Sequence, residues 1–589
     1  MRFDFGAIVK EWVVREAPRL KANHLQAMRL RKEAALYDAA ATLDGAKPTP
    51  EERMRRTAID EELEGLESVE HFDLGKYRVL YIPKKGFRLT RAHRQRGQNS
   101  VTFFDAMPFY STGISEAVAL DFAARRYLGE GKSAAEEGLD LPTLGRDPAY
   151  YAAHREAVIR YCLRDCALTA RLFEKTIAGF EEIGIPFPRQ PWSRASVGRE
   201  VLKRLGVLEA TREAYLELDK TGHARFWRGA YAGACILTRG VGTWDDVTKL
   251  DLNSAYPAPM PSFPSLEGAY LVGPESPKFD GCYFKFYEID LVPTPRRALR
   301  SKDRASDHLL YHVGGEPRRV CVTGLDLDAF DEWGDRYTIV EAVGVVTPSG
   351  ERPLAYMREV YAAKDRIKLD PRYGEESVEY QNVKIMLNGT YGILTQSKPR
   401  EGRYTNFIYG AYITAWTRRE IWRKAREVEA KGGTMLSFMT DGMLVSGLTD
   451  LPPSSRELGA WEVKDVGSAT LFANGIYVVS GKLKRRGAPD LTLPLLRKCR
   501  RPWVHVERSG PLGLKQAIIR GTPELIGVWT TEEKDLVPWR MLEDSGLRVP
   551  TDLRSAPLRS FFVDSWYLDH RSPTEELSPP SLLPIVEAP

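Results

Sequence analysis

The chain reads as an α/β protein of several domains. At 589 residues it exceeds what a single hydrophobic core organises. Its 43% hydrophobic and 10% aromatic content are those of a globular protein. Short β-rich runs bounded by Gly and Pro are interleaved with longer helix-forming stretches.

The elements follow in order. Residues 11–40 are rich in Ala, Leu, Arg and Glu and predict a helix. Pro50 opens a second helix, with Glu51 and Glu52 in its first turn. Strands are predicted within 78–90 and 101–105, and helices through 114–182. Pro186, Pro188, Pro191 and Trp192 mark a linker, and 193–220 returns to helix. From 245 to 350 the pattern is strand-rich. Helices are predicted over 353–369, 376–391 and 411–430, the first two separated by a Pro/Gly turn at 370–374. Gly432-Gly433 turns into a strand at 434–439, and Asp441-Gly442 turns it back as a hairpin through 443–445. The last 19 residues, 571–589, are Pro- and Ser-rich and predict disorder.

Net charge is only +5, on 85 basic and 80 acidic residues. Basic clusters at 84–88, 91–96, 482–486 and 497–501 could meet phosphates. The six cysteines form no CxxC pair, which argues against a zinc site or disulfide framework and suits reduced thiols in a cytoplasm. No apolar run approaches the ~20 residues that span a bilayer, and no signal-peptide core is seen, so no membrane partner is expected. Gly131-Lys132-Ser133 looks like the end of a phosphate-binding loop, but the required earlier glycine falls at Arg126.

Three short stretches carry chemistry. The first is Asp251-Leu252-Asn253-Ser254-Ala255-Tyr256-Pro257, a carboxylate at a strand end followed by an aromatic. The second runs from Lys384 to Gly392, with Lys384, Asn388 and Tyr391 at i, i+4 and i+7 on one helical face. The third is Thr440-Asp441-Gly442, a carboxylate at a hairpin tip. Joining a nucleotide to a strand needs an activated 3′ hydroxyl and a neutralised pyrophosphate, and two Mg²⁺ ions about 4 Å apart do both. Mg²⁺ takes oxygen ligands, so two aspartates on neighbouring strands are the minimal protein contribution. A Lys on a facing helix can bind triphosphate oxygens, and an aromatic beneath the sugar can exclude a 2′ hydroxyl.

In this order the stretches resemble the three polymerase motifs of family B DNA polymerases, and within that family the protein-primed phage and linear-plasmid branch. Tyr231-Ala232-Gly233-Ala234 resembles the segment joining exonuclease and polymerase domains, and Ile413 to Arg418 the return from fingers to palm. The resemblance spans about 225–480, is weaker over 100–185 and is absent before 75. It implies a right-hand polymerase (palm, fingers, thumb) behind an N-terminal RNase H-like exonuclease-type domain that is degenerate. The implied organisation is a helical extension at 1–75, exonuclease-like domain 76–190, linker and start of palm 191–245, and palm with insertion 246–350. Fingers follow at 351–424, palm again at 425–480, thumb at 481–570 and tail at 571–589.

The implied activity is DNA-directed extension of a DNA or protein primer, without efficient proofreading. The alternative is a decayed polymerase that only binds DNA. Metal ligands would be Asp251, Asp441 and the Leu252 carbonyl, holding two Mg²⁺ with Mn²⁺ able to substitute. Nucleotide contacts would be Ser254, Tyr256, Lys364, Lys384, Asn388 and Tyr391. Primer–template contacts would be Tyr231, Gly233, Gly392, Thr440, Tyr477, Lys484 and Arg485. Partners are primer–template DNA, deoxynucleoside triphosphates and a terminal-protein primer, in a bacterial or phage-infected cytoplasm. Tyr161 and Asp165 fit a remnant third exonuclease motif, but no convincing Asp-x-Glu strand precedes them. Departures stand at Met439, Gly442 and Ser437, where the family has Asp, Ser and Tyr, and at Gly475, where it has the lysine that grips the primer. Only 20 residues, 393–412, separate the second motif from Ile413, too few for that branch's second insertion.

Overall fold

The computed structural model describes residues 14, 17–30, 33–34, 49–65, 71–74, 76–82, 86–91, 100–110, 120–131, 137–144, 147–182, 184–185, 187–192, 194–204, 209–232, 236–238, 242–292, 299–302, 309–312, 317–375, 377–396, 402–448, 455–473, 476–485, 492–494, 504–512, 514–525 and 529–536. Gly233, Gly475 and the tail at 571–589 lie outside them.

The chain opens with helix α1 (17–30) and α2 (Pro50–Gly65). Thr49 and Glu52 cap α2 reciprocally, the Glu52 carboxylate accepting from Thr49 N at 2.7 Å. Strands β1 (His71–Leu74), β2 (Tyr77–Ile82), β3 (Gly86–Arg91) and β4 (Ser100–Phe104) form an antiparallel meander. The sequence reading missed β1; its four residues are held by register pairing from His71↔Leu80 to Leu74↔Tyr77. Phe72, Val79 and Phe87 of this sheet are buried with Ala17 and Leu20 and with Leu512, Ala517 and Ile518 from near the far end of the chain.

Helices α3 (Leu120–Leu128), α4 (Leu141–Leu144), α5 (Pro148–Ala153) and the long α6 (Arg155–Glu182) come next. Then follow α7 (Arg194–Arg204), α8 (Glu209–Asp219) and α9 (Ala224–Ala230). Strands β5 (Ile236–Thr238) and β6 (Gly242–Leu252) enter the main sheet. A second sheet is built from β7 (Tyr270–Val272), β8 (Phe284–Leu291), β11 (Arg318–Thr323) and β12 (Tyr337–Val346), in the order β11-β8-β12-β7. The hairpin β9 (Leu299–Lys302) and β10 (Leu309–His312) stands between its strands in sequence.

Helix α10 (Gly324–Trp333) interrupts what read as uniformly strand-rich sequence. Its start is a capping box: Asp326 N donates to Thr323 Oγ1, and Asp326 accepts from Thr323 N at 3.0 Å. Gly334 ends it at φ +70°, a left-handed conformation that suits glycine.

Helices α11 (Met357–Leu369), α12 (Val378–Leu394) and α13 (Phe407–Ala430) form the next layer. The helix predicted to end at 391 runs three residues further. Gly392 lies inside α12, which runs on to Leu394 and closes where Asn406 N donates to Leu394 O at 2.7 Å. Strands β13 (Thr434–Met439), β14 (Gly442–Ser446), β15 (Trp461–Ala473), β16 (Ile476–Val479) and β17 (Lys482–Arg485) complete the main sheet. Its order is β17-β16-β15-β6-β14-β13-β5, every pairing antiparallel. Strands β18 (Val504–Pro511) and β19 (Trp529–Leu536) pair separately, with α14 (Leu514–Arg520) between them.

The largest core joins α6, α7, α9, α11, α12 and α13 to β8 and β12. Aromatic rings of Phe263, Phe284, Phe286, Tyr409 and Tyr412 fill the seam between α13 and the second sheet. Their hydroxyls are satisfied: Tyr409 donates to Pro264 O at 2.8 Å and Tyr412 to Lys285 O at 3.0 Å. Behind them Arg418 of α13 forks onto Asp326 of α10, both nearly buried, with Nε and Nη2 contacts of 2.9–3.0 Å. This fixes α13, the helix that delivers the chain into β13 and the Asp441 hairpin. Among the described residues no helix is long and apolar enough to cross a membrane.

Candidate functional site

Strand β6 is central in the main sheet, and Asp251 is its next-to-last residue. On one side Asp251 stands opposite Gly442 of β14, and on the other opposite Glu462 of β15. Asp441 lies in the turn between β13 and β14, and its carbonyl accepts from Leu252 N at 2.7 Å. Thr440, at φ +69°, makes the turn tight enough to do this. Sequence positions 190 apart thus place two carboxylates at one end of one sheet.

Glycine at 442 has a local reason. A Cβ there would lie 3.0 Å from both Asp251 Oδ1 and Leu250 O. The serine found here in the resembling family would crowd the first carboxylate unless the strands moved apart.

The pair is electrostatically strained. Burial, together with the neighbouring Asp251 charge, pushes the Asp441 carboxyl up to about 7. Asp251 is raised too, chiefly by burial, while Lys464, Lys249 and Lys384 oppose the shift. A divalent cation relieves such a pair, and the donor set of two carboxylates beside the Leu252 peptide fits a hard, oxygen-seeking ion. Among the described residues no cluster of three or more His, Cys, Asp or Glu side chains is arranged to hold a metal. The fit therefore rests on the two aspartates and backbone.

Above the pair lies the helical layer. Lys364 of α11 is buried and donates to Ser254 Oγ at 2.9 Å. Burial, with the charges of Lys384, Lys368 and Lys464, lowers its ammonium to about 8. Ser254 sits at φ +49° in the turn after β6, where that hydrogen bond holds it. On α12, Lys384 and Asn388 are exposed and Tyr391 is half-buried, while Met386, Leu387 and Thr390 on the other side are in the core. The i, i+4, i+7 reading of this helix holds. Gly392 has no atom within 4 Å of where a Cβ would be, so this stretch of helix is open to close approach.

The aromatics converge. Tyr256 stacks on Tyr391 with centroids 4.4 Å apart and planes 25° from parallel. The Tyr391 hydroxyl meets that of Tyr231, at the end of α9, at 2.8 Å. Burial, with Tyr231 and Tyr256 as neighbours, pushes the Tyr391 phenol well above its ordinary value.

Across the sheet, Tyr477 of β16 is buried, and burial with the charges of Asp251 and Asp441 pushes its phenol up to about 12. Lys484 stands opposite Tyr477 in β17, and Arg485 opposite Ile476. These two cations, expected to begin a separate lobe, lie on an edge strand of the same sheet as the carboxylates. Tyr161 and Asp165 share α6 far back in the chain; Tyr161 is buried against Leu139 and Val158.

Three charged residues escaped the sequence reading: Lys249, Glu462 and Lys464. The alternation Glu462-x-Lys464 was visible, but not the pairing that sets it beside Asp251. Burial and then Lys484 lower the Lys249 ammonium.

No protein-family model matches the chain. A protein named DNA polymerase from Acidianus bottle-shaped virus (isolate Italy/Pozzuoli) is 22% identical over 289 residues. The match covers 45% of this chain and 40% of the viral protein, so the chain spans well under half of that relative. Among solved structures, phi29 DNA polymerase complexed with primer-template DNA and incoming nucleotide substrates is similar at TM-score 0.50 and 15% identity. That match covers 77% of this chain and 83% of the phi29 chain. Phi29 DNA polymerase complexed with single-stranded DNA is similar at TM-score 0.47 and 16% identity, over 76% and 83%. The likeness to the ternary complex shows the fold: an α/β multidomain architecture shared with that structure.

Proposed function

We propose that this chain is a DNA-directed DNA polymerase of the phi29-like, family B kind, extending a primer by nucleotidyl transfer. The observation that carries the reading is the meeting of Asp251 and Asp441 at one sheet end, beneath a helix presenting Lys384, Asn388 and Tyr391. Two strained carboxylates under a helix that presents Lys384 suit a triphosphate whose charge is shared between metal and lysine. Magnesium, when bound by Asp251, Asp441 and the Leu252 carbonyl, would supply the positive charge that activates a 3′ hydroxyl and neutralises pyrophosphate.

The chain's own residues do the rest. Lys364 and Lys384 bind triphosphate oxygens, and Ser254, held by Lys364, contacts the same group. Tyr256, braced by Tyr391 and through it by Tyr231, supports the sugar and excludes a 2′ hydroxyl. Asn388 and Tyr391 line the nascent base pair. Tyr231, Gly233, Gly392, Thr440, Tyr477, Lys484 and Arg485 follow the primer–template. The main sheet is the palm, α11 and α12 the fingers, and the 76–190 region an exonuclease-type scaffold without efficient proofreading.

Extension of a labelled 5′-tailed primer–template with Mg²⁺ and four deoxynucleotides tests this, comparing wild type with Asp441→Ala. Extension by wild type alone supports the reading. Failure of both with Mg²⁺ and with Mn²⁺, with DNA binding intact, favours a DNA-binding protein that has lost catalysis, the reading that Met439 at the accessory carboxylate position motivates. A terminal-protein primer is tested separately, by adding candidate primers to that assay.

A further inference from the structure

Strand β15 does not run evenly beside β6. Glu462 pairs with Asp251 and Val463 with Leu250, but Asp465 pairs with Lys249, so Lys464 is an extra, unpaired residue. Such a bulge interrupts the ladder and re-aims a side chain, and bulges favour positions next to active sites. The Lys464 ammonium meets Glu462 at 2.5 Å, with the two side chains 33% and 19% exposed. A partly exposed ion pair two residues apart on one strand stabilises a fold little, too little to account for a disrupted ladder.

The surroundings give the bulge another purpose. Of the charges bearing on Asp251, that of Lys464 weighs most. Lys464 also bears on Lys364, together with Lys384 and Lys368, and on Glu375. Glu375 in turn holds Lys368 at 2.6 Å. Lys384 of α12, Lys368 of α11 and Lys464 of β15 thus all lie within electrostatic reach of the buried Lys364, and two of these four lysines are held by glutamates. That arrangement suits a polyanion that displaces the glutamates as it binds.

We propose that Lys464 is a sheet-side contact to the phosphates of the incoming nucleoside triphosphate, opposite Lys364 and Lys384, with Glu462 holding its ammonium until the polyphosphate arrives. This rests on the nucleotidyl-transfer reading above. The test uses the full chain and two variants, Lys464→Gln and Lys464→Arg. Calorimetry with inorganic tripolyphosphate, without metal, reads the anion site independently of catalysis. Steady-state extension reads KM for deoxynucleotide against kcat, and a filter assay reads primer–template Kd.

Lys464→Gln is expected to weaken tripolyphosphate binding and raise KM, each by about tenfold, with kcat and primer–template Kd near wild type. Lys464→Arg should restore both. Unchanged tripolyphosphate affinity in Lys464→Gln would overturn the proposal, as would a parallel loss of primer–template affinity, which would place the lysine on DNA. If wild type fails to extend primers while tripolyphosphate binding still depends on Lys464, the polymerase reading falls and the anion site stands.

Discussion

The raised Asp441 carboxyl makes that group's contribution to the stability of the metal-free protein smallest at the pH where a polymerase would work. In the folded chain burial and Asp251 hold Asp441 protonated up to about 7, against an ordinary value of 3.8. The folded state therefore keeps a proton that the unfolded chain has already released. Stability linked to this group is fullest below about pH 4 and is lost progressively as pH rises to about 7, beyond which it is flat. The difference of about 3 pH units corresponds to at most about 4 kcal/mol, at about 1.36 kcal/mol per unit. Residual solvent access reduces this to roughly 2–4 kcal/mol.

Asp441→Asn removes the charge with little change of shape. Metal-free Asp441→Asn should thus unfold above wild type at pH 8, by roughly 4–16 °C if the unit that unfolds is of ordinary domain size. The gap should close near pH 4. Mg²⁺ at pH 8 should raise the wild-type midpoint and leave the variant unmoved, since only a folded, paired site binds it. Scanning calorimetry at pH 4, 6 and 8, with and without Mg²⁺, measures all of this. A variant that is less stable than wild type at pH 8, or a gap independent of pH, would refute the account of the carboxylate pair as mutually strained.

Three further outcomes are expected. Arg418→Met leaves Asp326 buried without its cation and should destabilise the chain by about 3–5 kcal/mol, while Asp326→Asn with Arg418→Met together, which keeps an acceptor for Thr323 N, should recover much of that in thermal unfolding. Because the Lys364 ammonium is lowered to about 8 by burial and neighbouring lysines, KM for deoxynucleotide should rise as pH passes 8, and Lys364→Arg should remove that rise in steady-state profiles. Tyr256→Val takes away the ring stacked on Tyr391 and should raise ribonucleotide incorporation relative to deoxynucleotide by about 10²-fold, read from competing single-nucleotide insertions.

The local placement of the candidate site residues was legible in the sequence because it depends on near neighbours. Asp251 with Ser254 and Tyr256 lies within one strand end and its turn. Lys384, Asn388 and Tyr391 share a face by helical period alone. Asp441 sits in a hairpin whose first strand ends where the sequence placed it, at Met439. The paired helices α11 and α12 were likewise announced by the Pro/Gly turn between them. Local signals failed where neighbours overruled them. Helix α10 forms in strand-rich sequence because Thr323 and Asp326 cap it and Arg418, 92 residues on, holds Asp326 in place. Helix α12 continues through Gly392 because Asn406 closes it from outside.

What tertiary structure alone decided is which distant residues share the sheet end. The order β17-β16-β15-β6-β14-β13-β5 interleaves segments from 236 to 485, and no periodicity within any strand encodes which strand lies beside it. That pairing sets Glu462 and Gly442 on either side of Asp251, brings the bulged Lys464 to the carboxylates, and keeps Lys484 and Tyr477 on the same sheet. Side-chain type and spacing fixed what each residue can do; the long-range hydrogen-bond register fixed which residues act together.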